Sequence, residues 1–263
     1  MKSNHPDISM LGVESRSKWR ESMYQTLRDK FEGIVRQNNL WKEKVEVTVK
    51  TPSEAIGTPK REDFPLLKGK ERIVEARFKD SRGQAFTDAY VQFSGDLKQV
   101  LSIDLTNNEN RAIFIATLNA VMKHLGLVDG TTHCKDEEPE TCSRELVDYI
   151  SKNFGDPKIA MIGYQPQMVE ALSGRFTIRV TDLNRENIGT MKDGVKILDG
   201  EAEFDETVEW SDLVLATGST IVNGTIERII EAAGHKPLIF YGITIAGPAK
   251  LLGLNRFCIR VHA

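Results

Sequence analysis

The sequence lacks the features that mark several classes of protein. It has only three cysteines in 263 residues, too few for a secreted disulfide framework. Its net charge is −3, and neither half has the basic excess that nucleic-acid binding requires. No apolar run approaches the ~20 residues that span a bilayer, and the start has no apolar core of signal-peptide length. We therefore expect a cytoplasmic protein without a nucleic-acid or membrane partner.

The composition that remains is that of a globular protein, 40% hydrophobic and 28% charged. The length allows one large domain or two modest ones, each with a real core. The first half has the pattern of an α+β domain, in which a small antiparallel sheet is followed by helices. The expected elements are a helix over 16–38, a strand over 45–51, a long loop over 52–71, two strands joined by a turn at Asp80–Gly83, a helix capped by Thr106 and Glu109, and a helix over 143–153.

From residue 156 onward the pattern changes to apolar runs that alternate with helical segments. Strands that are apolar on both faces predict a parallel sheet covered by helices on both sides. The expected strands are PKIAMIGY, RFTIRVTDLN, DLVLATG, PLIFYGITIAG and CIRVHA, with helices at 224–233 and 248–252, and the acidic run from Asp199 to Asp212 as a solvated loop. We expect two domains, 1–155 and 156–263, with a boundary near Phe154–Pro157.

The most informative stretch is DLVLATGSTIVNGTIERII, residues 212–230. An apolar strand ends in a cluster of hydroxyl residues and glycines, and a helix follows at once. One alternative is a loop that caps its own helix through Asn223. A cap needs one such residue and the stretch offers several, so we favour a ligand site at the strand's carboxyl end. The candidate residues are Thr217, Gly218, Ser219, Thr220, Asn223 and Thr225.

Two further strand-to-helix junctions share this design, and neighbouring parallel strands would bring all three to one sheet edge. The first resembles the opening turn of a nucleotide-binding unit, since Asp182 closes the next strand 19 positions after Gly163. The three-glycine fingerprint is absent, which disfavours NAD; an adenosyl sulfonium is less strongly excluded. Asp182 could equally serve as a turn or capping residue. The candidates are Gly163, Gln165 and Asp182 at the first junction and Tyr241, Gly242 and Thr244 at the third.

The segment HCKDEEPETC offers metal ligands in His133, Cys134 and Cys142. Imidazole and thiolate suit a borderline-soft cation such as Zn²⁺, but this spacing matches no structural zinc pattern. The alternative is an acidic solvated loop with two incidental cysteines. Asn119 lies on an apolar helix face, so its amide must find a partner, in the protein or in a cleft. Asp88 and Lys68 are weaker candidates of the same kind.

Several segments together resemble the putative heavy-metal chelation family. They are GQAFTD, NRAIFIATLNAV, the HC…EEPE…C cluster, IGYQPQMVEAL, EWSDLVLATGSTIVNGT and FYGITIAG…LLGLNRFC, in order from about residue 57 to 258. The resemblance implies an enolase amino-terminal-like domain followed by a Rossmann-like domain, with an active site between them. It also implies metal chelation, or condensation or hydrolysis in making pterin-, flavin- or siderophore-like molecules, without assigned residue roles.

Two functional hypotheses remain open. In the first, the protein binds a small polar or anionic ligand in an interdomain cleft, with or without catalysis. In the second, it is a non-catalytic protein that binds a metal or a metal chelate through His133, Cys134 and Cys142. The expected partner is a small molecule, a heavy-metal ion or metal chelate is the cofactor class considered, and homo-oligomerisation is left open.

Overall fold

The computed structural model describes residues 16–58 and 71–262, and the side chains of residues 23–58 and 71–260. The signal-peptide expectation for the first residues and the candidate Lys68 lie outside these ranges. No helix in the described part of the chain is long and apolar enough to cross a membrane.

The first half contains a four-stranded antiparallel sheet with the strand order β3-β2-β1-β4. This confirms the predicted antiparallel sheet and the helices grouped with it. The helices and strands are α1 (Arg16–Gln37), β1 (Lys44–Lys50), α2 (Pro52–Ile56), β2 (Arg72–Phe78), β3 (Ser81–Thr87), β4 (Phe93–Asp96), α3 (Leu97–Leu101) and α4 (Asn108–His124).

Three local predictions in this half are wrong. The predicted loop over 52–71 begins with helix α2, which has a capping box formed by Thr51 and Glu54. The β2–β3 turn consists of Lys79 and Asp80, with Lys79 at a φ of 52°, so Gly83 lies inside β3. Helix α4 is capped by Asn107, whose side chain accepts a hydrogen bond from the Asn110 N–H. The hydroxyl of Thr106, the predicted cap, instead donates to the Asp104 carboxylate.

The second half is built on a seven-stranded, mostly parallel sheet with the order β11-β10-β9-β5-β6-β8-β7. The short strand β7 pairs antiparallel with β8, and the other pairs are parallel. The elements are α5 (Glu138–Phe154), β5 (Ile159–Ile162), α6 (Pro166–Ser173), β6 (Ile178–Asp182), β7 (Met191–Lys192), β8 (Val195–Asp199), α7 (Phe204–Trp210), β9 (Leu213–Thr217), α8 (Thr220–Asn223), α9 (Ile226–Ala233), β10 (Leu238–Tyr241), α10 (Ala246–Leu252), β11 (Arg256–Phe257) and α11 (Ile259–His262).

Three predictions in this half need correction. The edge strand is Arg256–Phe257, and most of CIRVHA forms the helical turn α11. The acidic run predicted as a loop contains helix α7, which buries Phe204 and Val208 and exposes its acids. Helix α5 begins at Glu138, before the predicted residue 143. Its buried Leu146 joins the cluster that covers one face of the second sheet.

The order of the parallel strands reverses at the centre of the sheet. From β5 the chain adds β6 and then β8 on one side, and afterwards β9, β10 and β11 on the other. Connections on the two sides leave β5 and β9 in opposite directions, so a crevice opens between their carboxyl ends. This is the place where the fold itself provides room for a ligand.

Helix α4 packs against both halves of the molecule. A methyl group at Gly83 of β3 would lie 2.2 Å from the backbone nitrogen of Ala120. On another side of the helix, a methyl group at Gly247 of α10 would lie 2.1 Å from the Leu118 side chain. Glycine is required at position 83 because a Cβ there would meet the backbone of the helix, whereas a Cβ at position 247 would meet its side chains. One hydrophobic cluster therefore runs from the first sheet through α4 to one face of the second.

The amide of Asn119, a fully buried residue, joins the two halves by hydrogen bonds. Its Nδ2 donates to the carbonyl oxygens of Gln84 at 3.0 Å, Ile243 at 3.2 Å and Thr244 at 3.1 Å. Its Oδ1 accepts from the Gly247 N–H at 2.7 Å. Removal of the amide would take one hydrogen bond from each of these backbone groups, although the Ile243 carbonyl oxygen would still accept from the Ala246 N–H.

We predict that Asn119→Leu lowers the free energy of unfolding by about 3 kcal/mol, because it strands several buried polar groups. Chemical denaturation monitored by circular dichroism measures the change. Thr117→Val on the same helix is the matched control, since the buried Thr117 hydroxyl has no hydrogen-bond partner. The control should be neutral or slightly stabilising. Equal losses for both variants would contradict the assigned role of the Asn119 amide.

Candidate functional site

A cavity of about 130 Å³ lies at the carboxyl ends of the parallel strands. Strand register explains why the predicted junctions meet there: Ile162 pairs with Ala216, and Thr217 pairs with Tyr241. The lining from the junctions consists of Gly163, Tyr164, Gln165, Met168, Asp182, Thr217, Gly218, Ser219, Tyr241, Gly242, Ile243 and Thr244. The remaining lining consists of Glu71, Phe86, His133, Cys134, Pro139, Cys142, Phe257 and Cys258.

The first junction is a tight turn whose N–H groups are engaged by protein side chains. Gly163 has a φ of 93°, and a methyl group there would lie 2.6 Å from the Thr217 side chain. The Tyr164 N–H donates to the Asp182 carboxylate at 2.7 Å. The Gln165 side chain caps α6 by accepting from the Met168 N–H at 2.5 Å. This turn therefore presents fewer free donors than a phosphate-binding loop does.

The sequence left open whether Asp182 contacts a ligand or holds a turn, and its position in the structure suits both roles. It lines the cavity, and its carboxylate also accepts backbone hydrogen bonds from Tyr164 and Asn184. Burial raises the pKa of its carboxyl group, although these hydrogen bonds act in the opposite direction. Asp182 thus fixes the first turn while placing a carboxyl group beside the cavity.

At the second junction, only the residues nearest the strand end reach the cavity. The hydroxyls of Thr217 and Ser219 lie 3.1 Å apart and both residues line the cavity. The Thr220 hydroxyl donates to the Thr217 carbonyl oxygen, and the Asn223 side chain accepts from the Thr225 N–H and hydroxyl. Thr220, Asn223 and Thr225 therefore shape the loop, and they are absent from the described lining.

The third junction connects the two sheets. The Tyr241 hydroxyl donates to the Gly163 carbonyl oxygen at 2.9 Å, and burial strongly raises its pKa. The Thr244 hydroxyl accepts from the Phe86 N–H of β3 at 3.0 Å. Gly242 has a φ of 93°, which favours glycine. Asn119 lies behind this junction, where backbone groups engage its amide, and it is absent from the described lining.

The His133–Cys142 segment closes the cavity from the other side. The His133 Nδ1 lies 2.5 Å from the Cys134 carbonyl oxygen, which can only accept, so Nδ1 carries the proton. Burial is the main reason that the pKa of His133 falls to about 4. The ring is therefore neutral at pH 7, and its Nε2 carries a lone pair.

The position of His133 depends on the first sheet. Its backbone N–H donates to the Gln84 side chain at 2.7 Å, and Gln84 in turn donates to the buried Glu75 at 2.8 Å. The Phe86 ring packs edge-on against the imidazole, with ring centroids 5.5 Å apart. Strand β3 thus positions His133 in a cavity that is formed mainly by the second sheet.

All three cysteines of the chain line this cavity. Burial raises the pKa of Cys134 to about 11 and that of Cys142 to about 12, so both are neutral thiols at pH 7. Sequence reasoning missed Cys258, which follows the two-residue edge strand β11. Its position directly after a strand end was the available signal. Three thiols give one end of the cavity a soft, polarisable lining.

Glu71 is the second residue that sequence reasoning missed. The residue is exposed overall, but protein surrounds its carboxyl group and raises the pKa to about 7, with smaller contributions from the charges of Asp182 and Asp88. Its sequence position, after a loop rich in lysine, gave no signal. No lysine or arginine occurs among the described lining residues, so carboxyl groups provide the charge in the cavity.

The described residues do not form a metal site with three or more protein ligands. No group of three His, Cys, Asp or Glu side chains in the described ranges is arranged to hold a metal ion. His133, Cys134 and Cys142 do share one cavity, as their segment suggested. Tetrahedral Zn²⁺ bound by a closed set of side chains does not fit this arrangement.

We predict that the His133 imidazole titrates near pH 4, measured by the pH dependence of its ring NMR signals. In the unfolded chain the ring binds a proton near pH 6.5. The folded state therefore binds fewer protons between these values, and its stability falls as pH drops from about 6.5 towards 4, by up to about 3 kcal/mol. His133→Gln should flatten this part of the stability profile. An unchanged profile would contradict the assigned burial of the ring.

Comparison with known proteins found similar solved structures and one matching family model. No curated protein matches the chain. A protein of unknown function from the DUF364 family of Pyrococcus horikoshii is 19% identical and has a TM-score of 0.49, over 83% of this chain and 79% of that one. A second DUF364 protein of unknown function, from Desulfitobacterium hafniense, is 13% identical with a TM-score of 0.47, over 69% and 72%.

The family model that matches covers residues 145–251 and is described as "Putative heavy-metal chelation". These residues include all three strand-to-helix junctions of the cavity. The part of the chain that forms the three junctions is therefore similar to DUF364, the putative heavy-metal chelation family.

Proposed function

We propose that the chain binds a small polar molecule, neutral or cationic, that places one ring in the cavity at the carboxyl edge of the second sheet. The observation that carries the proposal is the convergence of three strand ends on one cavity at the point where strand order reverses. Ligands of open parallel sheets bind at such points. Segments from the first half cover the cavity, as closed ligand sites require.

We also propose a specific fold for each half of the chain. The parallel strands β8-β6-β5-β9-β10-β11 follow the 3-2-1-4-5-6 order of dinucleotide-binding sheets, which supports a Rossmann-like domain. The first half would be the enolase amino-terminal-like domain that the sequence resembles. Its contribution to the site comes through β3 and through the His133–Cys142 segment that β3 supports.

The size of the cavity supports a ring-sized occupant. An enclosed apolar cavity of about 150 Å³ accommodates one benzene molecule, and the cavity here has about 130 Å³. A whole dinucleotide would need several times this volume. The N–H groups of Tyr164 and Met168 also face protein acceptors, which disfavours a pyrophosphate at the first junction.

The charge of the lining favours a neutral or cationic ligand over an anionic one. An anion would approach Asp182 and Glu71 without a lysine or arginine among the described lining residues to compensate. Hydrogen-bond donors of a ligand would instead find carboxyl oxygens, the hydroxyls of Thr217 and Ser219, and the His133 lone pair. The sequence predicted a polar or an anionic ligand, and of these the anionic ligand therefore receives less support.

Proton transfer is the chemistry that this lining would provide to a bound molecule. A carboxyl group with a pKa of about 7, such as that of Glu71, exchanges protons readily at neutral pH. This suits the condensation or hydrolysis reactions on pterin-, flavin- or siderophore-like molecules that the resemblance implies. Asp182 would act mainly as the group that holds the first turn and keeps negative charge near Glu71.

A second candidate function is metal handling without catalysis. The observation that favours it is the presence of all three cysteines and His133 in one cavity, together with the description of the family. Metal content of protein purified without chelators, compared with that of Cys134→Ser and Cys142→Ser, tests it. Metal that both variants retain would remove its basis in these residues.

We predict that benzamidine and benzamide bind the cavity, and that benzoate binds at least about tenfold more weakly than benzamidine, because its charge is repelled by the lining carboxyl groups. The three probes have one ring of nearly equal size and differ in charge. Calorimetric titration and ligand-observed NMR measure the affinities. Ser219→Phe should abolish binding by filling the cavity, with thermal unfolding as the folding control. Preferential binding of benzoate would contradict the proposed ligand class.

We also predict that benzamidine affinity rises as pH increases through about 7. Glu71 loses its proton in this range and gains a charge that attracts the amidinium, whereas the probe itself remains cationic. In Glu71→Gln this pH dependence should disappear. Neutral benzamide provides the control, since its affinity should change little in the same range. A Glu71→Gln variant that keeps the wild-type pH profile would assign the effect to another group.

A further inference from the structure

Helix α8 is a single helical turn that directly follows the second junction. The N–H groups of Val222 and Asn223 donate to the Ser219 carbonyl oxygen at 2.9 Å and 3.1 Å. The Thr220 hydroxyl donates to the Thr217 carbonyl oxygen at 2.8 Å. Thr217 and Ser219 are the two hydroxyl residues of this junction that line the cavity. The backbone that carries their hydroxyls is therefore held by α8.

Two carbonyl groups of α8 accept hydrogen bonds from side chains of the first half. The Tyr24 hydroxyl, on α1, donates to the Ile221 carbonyl oxygen at 2.7 Å. Arg111 Nε, on α4, donates to the Val222 carbonyl oxygen at 2.6 Å. The last four carbonyl groups of a helix need partners of this kind from outside the helix. Two residues of the first half thus cap the helix that holds the second junction.

Further contacts within the first half fix the Arg111 side chain. Its Nη1 donates to the carbonyl oxygens of Leu105 at 3.1 Å and Thr106 at 3.3 Å. Its Nη2 donates to the Asn108 side chain at 2.7 Å. The guanidinium carbon lies over the Tyr24 ring, 5.6 Å from its centroid, so the two capping side chains also contact each other. A planar guanidinium held in this way presents its Nε in one direction, towards α8.

The chain provides a matched arginine whose contacts lie away from the cavity. Arg28 of α1 donates to the carbonyl oxygens of Leu101 and Ile103, at and just after the end of α3. Its guanidinium carbon lies 6.0 Å from the centroid of the Phe114 ring. Leu101 and Ile103 are absent from the described lining of the cavity. Arg28 and Arg111 thus make the same kinds of contact, and only Arg111 makes them beside the site.

We propose that Tyr24 and Arg111 are positioning residues of the candidate site, which fix α8 and thereby the hydroxyls of Thr217 and Ser219. The proposal rests on the proposed binding of a ring-containing molecule. It assigns part of the ligand affinity to first-half residues that are absent from the described lining. Their effect reaches the ligand through the backbone of the second junction. A ligand gains affinity when the two hydroxyls, 3.1 Å apart, are already in place before it binds.

Calorimetric titration of variants of the full chain with benzamidine tests the proposal. Arg111→Met should weaken binding roughly tenfold and Tyr24→Phe roughly threefold, since the loss of a hydrogen bond shifts an equilibrium by about these factors. The affinity of Arg111→Lys should lie between those of the wild type and Arg111→Met, because lysine keeps a donor but lacks the planar guanidinium. Arg28→Met, the matched control, should stay within about twofold of wild-type affinity, because its contacts are independent of the site. Thermal unfolding measures the stability of each variant.

Hydrogen exchange of the Val222 and Asn223 N–H groups, followed by NMR, tests the fixing of α8 without a ligand. Both groups are hydrogen-bonded in the wild-type structure, so their exchange reports opening of the turn. Exchange should be roughly tenfold faster in Arg111→Met and roughly threefold faster in Tyr24→Phe. It should not change in Arg28→Met, because α8 opens locally, without unfolding of the whole chain.

The two measurements together decide the proposal. Wild-type affinity in Arg111→Met and Tyr24→Phe would overturn it, whatever their rates of exchange. An equal loss of affinity in Arg28→Met would overturn it as well, because general destabilisation would then explain the effect. So would unchanged exchange of the α8 N–H groups in Arg111→Met. If no ring ligand binds the wild-type chain, the proposed function fails, and hydrogen exchange alone then decides whether Tyr24 and Arg111 fix α8.

Discussion

The fold depends on the close approach of helix α4 to elements from both halves of the chain. Gly83 and Gly247 permit that approach, because a single methyl group at either position would overlap with the helix. Asn119 then satisfies backbone groups of β3 and of the third junction at once. Since the third junction is part of the cavity lining, the constraint that joins the two halves also positions the candidate site. A substitution at Gly83, Asn119 or Gly247, none of which lines the cavity, would therefore alter it.

The cavity combines two chemically different ends within a small volume. Carboxyl groups, hydroxyls and a neutral imidazole provide hydrogen-bonding groups, whereas three cysteines, among them the neutral thiols of Cys134 and Cys142, form a soft end. Burial inverts the usual order of basicity, because the pKa of Glu71 lies near 7 and that of His133 near 4. The carboxyl group, rather than the histidine, therefore titrates near neutral pH in this site. The pH dependence of ligand binding can therefore show which of these two groups faces a ligand.

The sequence predicted the parallel sheet and the meeting of its strand ends, because buried strands and hydroxyl-rich junctions leave local patterns. It could not identify Glu71 or Cys258 as lining residues, since neither belongs to a motif and tertiary contacts alone bring them to the cavity. It placed Thr220, Asn223 and Thr225 in the site by composition, whereas their side chains form hydrogen bonds within the loop. The helix over Phe204–Trp210 was missed because its many acids resemble a solvated loop, although its apolar residues pack inward. The hairpin turn lies earlier than predicted because Gly83 serves packing instead of a turn.

The central claim is that the cavity at the carboxyl edge of the second sheet holds a small ring-containing molecule. The most direct measurement is a crystal structure of protein taken straight from cells, inspected for density at this place. The account predicts density for one ring, bounded by Thr217, Ser219 and His133 and without a strongly anionic group beside Asp182. A cavity filled by the protein's own side chains, or a ligand bound at another surface, would contradict the account.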